Sequence, residues 1–247
     1  MINTYNESNL HEKLKTIFAL EFGGKCEEKV EGTKFIADVL LEDGSAIEIQ
    51  TGNVSALKEK IEYFLSNKKK IKVVKPIIIE KQIEMLGTDG NEVLYRKKSP
   101  KKETAYSALR GLTGIFDKLT DENFTLVLLN VRCTEQRQKT DEKVQLMNKS
   151  RRHLKNWIPL GKKLESIEEK TILKTNDDYK KLIPKSIPQK FTHKELRSAL
   201  EKEHGKESGK WEGILVWLLL KMQILREAEK RGREKQFEFS VPKADSD

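Results

Sequence analysis

Apolar and polar residues follow two different periods in the first third of the chain. From Asn9 to Phe22 apolar side chains recur at helical spacing, which predicts an amphipathic helix that Gly23-Gly24 ends. Three shorter segments follow, Lys25 to Val30, Phe35 to Leu41 and Ala46 to Thr51, and polar turns separate them. These segments are typical of short strands joined by hairpins.

A second helix and a longer strand complete this part of the chain. The helix begins near Asn53, and the run from Ile71 to Leu86 is β-rich. The resulting order, α-β-β-β-α-β, predicts an α/β fold with a mixed sheet. Five apolar residues are expected on one face of the second helix: Val54, Leu57, Ile61, Phe64 and Leu65.

The middle of the chain adds elements that would widen and cover this sheet. The turn signal Thr88-Asp-Gly-Asn predicts a hairpin, and a helix is expected from about Glu103 to Leu119. The apolar run from Phe124 to Cys133 predicts a buried strand. Residues 136–184 are polar with a weak apolar period and are interpreted as a mostly helical connector. The first domain is therefore expected to span residues 1–135.

Residues 185–247 predict a small, mainly helical second domain. Thr192 and Glu195 have the spacing of a capping box at the start of a helix. A strongly apolar helix follows from Trp211 to about Met222, and two strands flank the basic turn Lys230-Arg-Gly-Arg. Helix, turn, helix and hairpin is the element order of a winged helix.

Composition and charge narrow the range of functions. The 247 residues include 48 Lys and Arg against 39 Asp and Glu, a net charge of +9, which favours an anionic partner such as DNA. The first residues lack the basic and apolar segments of a leader, and no apolar run approaches the roughly 20 residues that span a bilayer. A cytoplasmic protein without membrane contact is therefore expected. No phosphate-binding glycine motif is present, which argues against a nucleotide cofactor.

The cysteines and histidines show no pattern of metal ligands. Cys26 and Cys133 lack the spacing of a zinc site and are expected to be free thiols. The four histidines are interpreted as ordinary surface or capping residues: His11, His153, His193 and His204.

The segment from Phe35 to Asn53 carries the candidate chemistry. Its hairpin is expected to use the three-residue loop Glu42-Asp43-Gly44, because Gly44 can supply the left-handed conformation that such loops require. Leu41 then pairs with Ser45, and this pairing sets the register of the two strands.

In this register Asp38 lies directly opposite Glu48, and Gln50 shares the face of Glu48. Like charges in opposite positions destabilise a sheet, by about 4 kcal/mol at a separation of about 4 Å and an effective dielectric constant of about 20. A hard divalent cation would offset this repulsion, since Mg²⁺ takes one or two carboxylates and completes its shell with water and phosphate oxygens. The two carboxylates are therefore a candidate metal site.

These residues and their surroundings resemble the PD-(D/E)xK nuclease core, which restriction endonucleases and Holliday-junction resolvases share. The resemblance covers about residues 9–80 and rests on Asp38, on Glu48-Ile49-Gln50 and on the element order. Ala37 departs from it, because the family usually has proline before the aspartate. The resemblance implies a restriction-endonuclease-like core and a metal-dependent DNA endonuclease in which a metal-activated water hydrolyses a phosphodiester. Mg²⁺ is the implied cofactor, with Mn²⁺ as a substitute.

The resemblance also implies roles for individual residues. Asp38 and Glu48 would hold the metal, and Glu12 on the first helix would be an additional acidic ligand, with an exposed helix glutamate as the alternative. Gln50 stands where the family usually has a catalytic lysine and would orient the attacking water. Lys58 is a candidate for the missing cation, with a solvated helix residue as the alternative. Because of Gln50, a catalytically inactive nuclease-fold protein that binds DNA as a regulator or assembly factor stays open as a second function.

Residues 185–247 resemble winged-helix DNA-binding domains in their element order. In that family the second helix enters the major groove and the wing contacts the DNA backbone. Here the helix from Trp211 is unusually apolar, and protein association is the alternative. A homodimer would supply a second site for cutting both strands. The expected DNA contacts are Lys58, Lys68, Lys69, Lys70, Lys210, Lys230, Arg231 and Arg233.

Overall fold

Long strands and short helices build a mixed α/β fold in the computed structural model of the protein, which describes residues 9–146 and 154–240. The large sheet contains β1 (Lys25–Lys29), β2 (Ile36–Leu40), β3 (Ala46–Ile49), β4 (Ile71–Leu86), β5 (Val93–Lys98), β6 (Phe124–Val144) and β7 (Lys155–Leu173). Its order is β1-β2-β3-β4-β6-β7, and β5 also pairs with β4. The predicted α/β class with a mixed sheet is confirmed.

Parallel and antiparallel pairs divide this sheet. β3 is parallel to β4, and β4 is parallel to β6, whereas the remaining neighbours are antiparallel. The parallel pair β3 and β4 needs a crossover connection. That crossover is made by a 3₁₀ turn (Val54–Leu57) and α2 (Lys58–Ser66). The Asn53 side chain starts the turn by accepting the Ser55 N–H.

The first helix, α1 (Asn9–Phe22), covers one face of the sheet. Its apolar stripe buries Leu10, Leu14 and Phe18 in a cluster that includes Val39 and Ile47. This is the face that helical spacing in the sequence predicts. The helix therefore fixes one side of the β2 and β3 hairpin.

The other face of the sheet carries the second core cluster. α2 contributes Ile61 and Phe64 to it. The predicted helix after β5 is α3 (Ala105–Ala108), which continues as a 3₁₀ segment (Leu109–Lys118) that is interrupted at Ile115. The two clusters therefore cover both faces of the sheet around β2, β3, β4 and the first half of β6.

The mostly helical connector predicted for residues 136–184 is wrong for its described residues. β6 continues to Val144 and β7 runs from Lys155 to Leu173, so most of this segment is strand, and residues 147–153 lie outside the described part. The outer part of β6 is largely exposed. The C-terminal half of β6 and most of β7 are exposed or half-buried, so they lack the continuous apolar run by which a buried strand is predicted.

The C-terminal unit packs against the second core cluster. It contains α4 (Asn176–Lys180), β8 (Lys190–Thr192), α5 (His193–His204), α6 (Lys206–Gly209), α7 (Glu212–Lys221), β9 (Leu225–Arg231) and β10 (Glu234–Phe239). The predicted capping box of Thr192 and Glu195 is present at α5. The three strands form a small antiparallel sheet in the order β8-β10-β9.

The apolar helix α7 lies inside the molecule. Leu215, Leu218 and Leu219 are fully buried, and Trp217 meets Phe116 of the 3₁₀ segment edge to face with 5.8 Å between ring centroids. A helix that is apolar all round is a buried helix. The expectation that this helix lies in a DNA groove is therefore corrected. Among the described helices, none combines the length and apolarity needed to cross a membrane.

Candidate functional site

The β2 and β3 hairpin has the register that its turn predicts. Gly44 has a φ of +77°, and the Leu41 N–H donates to the Ser45 carbonyl at 2.9 Å. Val39 pairs with Ile47, as the same register requires. The turn therefore places the two acidic residues at opposing positions.

Asp38 and Glu48 lie where the regular ladder of the hairpin ends. The Ile49 N–H donates to Asp38 Oδ2 at 2.7 Å, so the carboxylate takes the place of a backbone acceptor. The Asp38 N–H faces Glu48 Oε1 at 3.4 Å. The two strands thus open at the acidic pair, and each residue contacts the strand that carries the other.

Lys60 on α2 is the cation in contact with this pair. Its Nζ donates to Glu48 Oε2 at 2.6 Å and to the Ile36 carbonyl at 2.7 Å. Glu48 is 2% exposed. A nearly buried carboxylate needs such a partner, because an isolated charge in the protein interior is costly.

His11 approaches the pair from α1. Its Nε2 lies 3.2 Å from Asp38 Oδ2, within hydrogen-bonding distance. The carboxylate of Asp38 is therefore contacted both by a helix residue and by the Ile49 amide. We call Asp38, Glu48, Lys60 and His11 the acidic cluster.

The two carboxylates have opposite pKa shifts. Burial raises the pKa of Asp38, but the hydrogen bonds from His11 and the Ile49 amide outweigh it and hold the pKa below its ordinary value. Burial, followed by the negative charge of Asp38, raises the pKa of Glu48 to about 7, and Lys60 limits this rise. The carboxylate of Glu48 therefore titrates near neutral pH while that of Asp38 stays ionised.

The structure brings together only part of the predicted site. Glu12 is exposed on α1, next to the residue that reaches Asp38. Gln50 follows β3, and its Oε1 accepts the Gly52 N–H at 3.0 Å. Lys58 is exposed and lies 3.9 Å from Glu62, one turn further along α2. The pair Asp38 and Glu48 is found as predicted, whereas the surrounding residues differ.

The sequence contains signals for the two residues that the prediction missed. Lys60 lies between the half-buried Leu57 and the buried Phe64 on the helical stripe of α2, so it borders the core. His11 precedes Leu14 and Phe18 at the same spacings on α1. A polar residue at the border of an apolar stripe can reach a polar side chain of the sheet on which the helix packs, and both residues do so.

The remaining predicted DNA contacts are spread over the surface. Lys68 and Lys70 are exposed, and Lys69 lies beside the Gly44 turn. Four more are near or in the C-terminal unit: Lys210, paired with Glu207 at 2.7 Å, Arg231, paired with Glu195 at 2.9 Å, and the exposed Lys230 and Arg233. Two of these side chains, Lys210 and Arg231, are therefore paired with neighbouring glutamates.

The donor chemistry of the acidic cluster fits a hard cation only in part. Its two carboxylates are oxygen ligands of the type that Mg²⁺ prefers. Within residues 9–146 and 154–240, no group of three or more His, Cys, Asp and Glu side chains could hold a metal ion. Asp38 and Glu48 are the two carboxylate ligands that the acidic cluster offers to a cation.

Comparisons with known proteins place the chain in a family without assigning it a function. A family model described as "Domain of unknown function (DUF8091)" matches residues 8–174, which include the large sheet and the acidic cluster. A protein of Treponema pallidum (strain Nichols), described as "Uncharacterized protein", is 33% identical over 130 residues, which are 53% of this chain and 50% of that relative. No solved structure matches the chain. The chain belongs to the DUF8091 family.

Proposed function

We propose that this protein is a metal-dependent DNA endonuclease with a PD-(D/E)xK-like site at Asp38 and Glu48. The observation that carries the proposal is the convergence of two carboxylates and one lysine where the hairpin opens. Two carboxylates at opposing positions of a hairpin repel each other, and this repulsion destabilises the sheet. A bound metal cation would offset the part of it that Lys60 does not neutralise.

Mg²⁺, or Mn²⁺ in its place, would be held by the Asp38 and Glu48 carboxylates. When bound, the metal would polarise the scissile phosphate and lower the pKa of an attacking water. The lack of a third acidic ligand among the described residues is compatible with Mg²⁺, which usually keeps several waters and uses substrate phosphate oxygens.

The neighbouring side chains would neutralise negative charge at the site and orient a water molecule and the Asp38 carboxylate. Lys60 replaces Lys58 as the proposed cation of the site, because its ammonium group lies 2.6 Å from Glu48. Gln50 would donate from its amide nitrogen to a water, since its Oε1 accepts the Gly52 N–H. His11 would keep the Asp38 carboxylate oriented towards the opening of the hairpin.

The C-terminal unit would add affinity for DNA. Its element order supports a winged-helix-like arrangement, but the buried α7 leaves the β9 and β10 hairpin as the contact surface. Lys230 and Arg233 are exposed near the tip of this hairpin. They would contact phosphates rather than read bases.

A cleavage assay tests the proposal. We expect Asp38→Asn and Glu48→Gln each to lower Mg²⁺-dependent cleavage of duplex, single-stranded or branched DNA by at least about 100-fold, since each removes a proposed metal ligand. Glu28→Gln is the matched control, because Glu28 is exposed on β1 and would leave cleavage unchanged. Calorimetric titration with Mn²⁺ reports metal binding independently of cleavage. Equal cleavage by all variants would refute the proposed site.

The second candidate is a catalytically inactive DNA-binding protein with a nuclease-like fold. Lys60 favours it, because its ammonium group already neutralises Glu48. DNA binding with a steep salt dependence, but without cleavage in Mg²⁺ or Mn²⁺ on any of the three substrates, would select this function.

A further inference from the structure

A groove lies at a gap in the large sheet, along the part of β4 between its contacts with β3 and β5. β4 pairs with β3 through residues 71–74 and with β5 through residues 82–86. Between these stretches, the chain after β5 crosses the edge of β4, where Glu103 accepts the Ile78 N–H at 3.0 Å. At this interruption lies an open groove of about 650 Å³, which residues of the C-terminal unit also line.

Positive charge dominates the lining of this groove. Glu103 and Glu207 are its acidic residues. The Lys81 ammonium is paired with Glu135 and that of Lys210 with Glu207, whereas the other lysines of the lining form no ion pair within the described part of the chain. Six lysines line the groove: Lys75, Lys81, Lys101, Lys102, Lys162 and Lys210.

Lys75 connects the groove to the segment that follows β3. Its Nζ donates to the carbonyls of Thr51 and Gly52 at 2.5 and 2.9 Å, directly after Gln50. Burial lowers the pKa of Lys75, Glu103 opposes this effect, and the positive charge of Lys162 adds to it. Lysines from β4 and β7 therefore repel one another in the groove, and an anion bound between them would relieve that repulsion.

The shape of the groove and one aromatic residue narrow the class of anion. A volume of about 650 Å³ is that of a site for a small ligand, and it can enclose a short stretch of one strand but not a duplex. The half-buried Trp211 lines the same groove. Lysines along a groove with an aromatic ring are the elements from which single-strand binding sites are built.

We propose that this groove binds the backbone of a single DNA strand, with lysine contacts to phosphates and Trp211 stacked on a base. The inference rests on the proposed function in one respect, because the bound strand would lead towards Asp38 and Glu48. Binding in the groove itself requires neither metal nor cleavage.

Binding of a short, fluorescently labelled oligothymidylate to the full chain in EDTA tests the inference. We expect the triple variant Lys101→Ala, Lys102→Ala and Lys162→Ala to weaken binding at least about tenfold. Its slope of log affinity against log salt should fall by about 2, because each phosphate contact to a single strand contributes about 0.7. The result that overturns the inference is an unchanged affinity and slope.

A matched variant separates the groove from the general charge of the surface. Lys25→Ala, Lys29→Ala and Lys34→Ala together remove the same charge at exposed positions near β1, and we expect their effect on binding to be less than twofold. An equal loss in both triple variants overturns the inference. Tighter binding of a labelled duplex, or of oligouridylate, than of oligothymidylate also overturns the assignment to a single DNA strand.

Two further measurements distinguish this inference from the proposed nuclease activity. Oligothymidylate should quench tryptophan fluorescence in the unmodified protein and much less in Trp211→Phe, with thermal unfolding confirming that the variant folds. Asp38→Asn should abolish cleavage without changing oligothymidylate affinity in EDTA. Affinity that depends on the groove lysines without any cleavage leaves the inference standing and refutes the enzyme. Cleavage without any dependence of binding on the groove lysines supports the enzyme and overturns the inference.

Discussion

Glu48 and Glu135 are two buried carboxylates of one sheet with opposite pKa shifts. They are 2% and 8% exposed, and burial raises the pKa of both. At Glu135, contacts with Lys81 at 2.5 Å and with Arg137 at 2.7 Å outweigh burial and hold the pKa below its ordinary value. Glu135 is therefore the anion of a balanced ion pair.

The acidic cluster has the opposite ratio of charges. Lys60 contacts Glu48, while Asp38 adds a second carboxylate, and the pKa of Glu48 rises to about 7. Lys81 and Arg137 together neutralise the single carboxylate of Glu135, which makes a stable structural contact. In the acidic cluster one lysine faces two carboxylates, so negative charge remains that a further cation could neutralise. This difference, more than burial, marks Asp38 and Glu48 as a candidate site.

Removing the lysine that contacts each glutamate should give the largest difference in stability between the two sites. We expect Lys60→Met to lower the free energy of unfolding by about 3 kcal/mol at pH 8, since it leaves the buried carboxylate of Glu48 without its contacting lysine, next to the negative charge of Asp38. Lys81→Met should cost only about 1 kcal/mol, because Arg137 still contacts Glu135. Urea unfolding of both variants measures the difference. Equal losses would show that the ratio of charges does not determine stability here.

The pH dependence of stability should differ in sign between the two glutamates. The pKa of Glu48 in the folded protein, about 7, lies above its ordinary value of 4.5. Its protonation therefore contributes stability that is fully present below about pH 4.5 and is lost as the pH rises through about 7. The difference between these pKa values corresponds to about 3 kcal/mol.

Glutamine variants isolate these contributions. Glu48→Gln should remove the loss of stability between about pH 4.5 and pH 7, relative to the unmodified protein. The pKa of Glu135 is lowered, so its contribution is present above its ordinary pKa of 4.5 and is lost in more acidic solution. Glu135→Gln should therefore change only the acidic limb. Urea unfolding across this pH range would contradict the prediction if both variants changed the same limb.

Sequence patterns predicted the hairpin of the acidic cluster because local rules determine it. The loop needs a left-handed residue, Gly44 supplies it, and the pairing of Val39 with Ile47 follows. The limits of α1 and of β4 also agree with the predicted segments, since both have regular apolar patterns. Elements with one continuously buried face are those that a single sequence reveals.

Tertiary contacts determine the features that the patterns missed. Lys60, rather than Lys58, reaches Glu48 because the rotation of α2 on the sheet decides which side chain points to the pair. His11, rather than Glu12, reaches Asp38 for the same reason on α1. The long β7 strand was missed because it is largely exposed along its length. Each error concerns a side-chain direction or an exposure that only packing sets.

The smallest expected effect concerns the turn that places Asp38 opposite Glu48. Gly44→Ala should destabilise the protein by about 1 kcal/mol, because Gly44 has a φ of +77° and the nearest side-chain atom to an added Cβ is at an ordinary 3.6 Å. Gly213→Ala is the matched control, since α7 has open space there and alanine favours a helix. It should be neutral or slightly stabilising in urea unfolding. If the register survives in Gly44→Ala, the difference in pH dependence between Glu48 and Glu135 persists. If this difference in pH dependence were lost, the turn, and not the packing of α1 and α2, would hold the two carboxylates together.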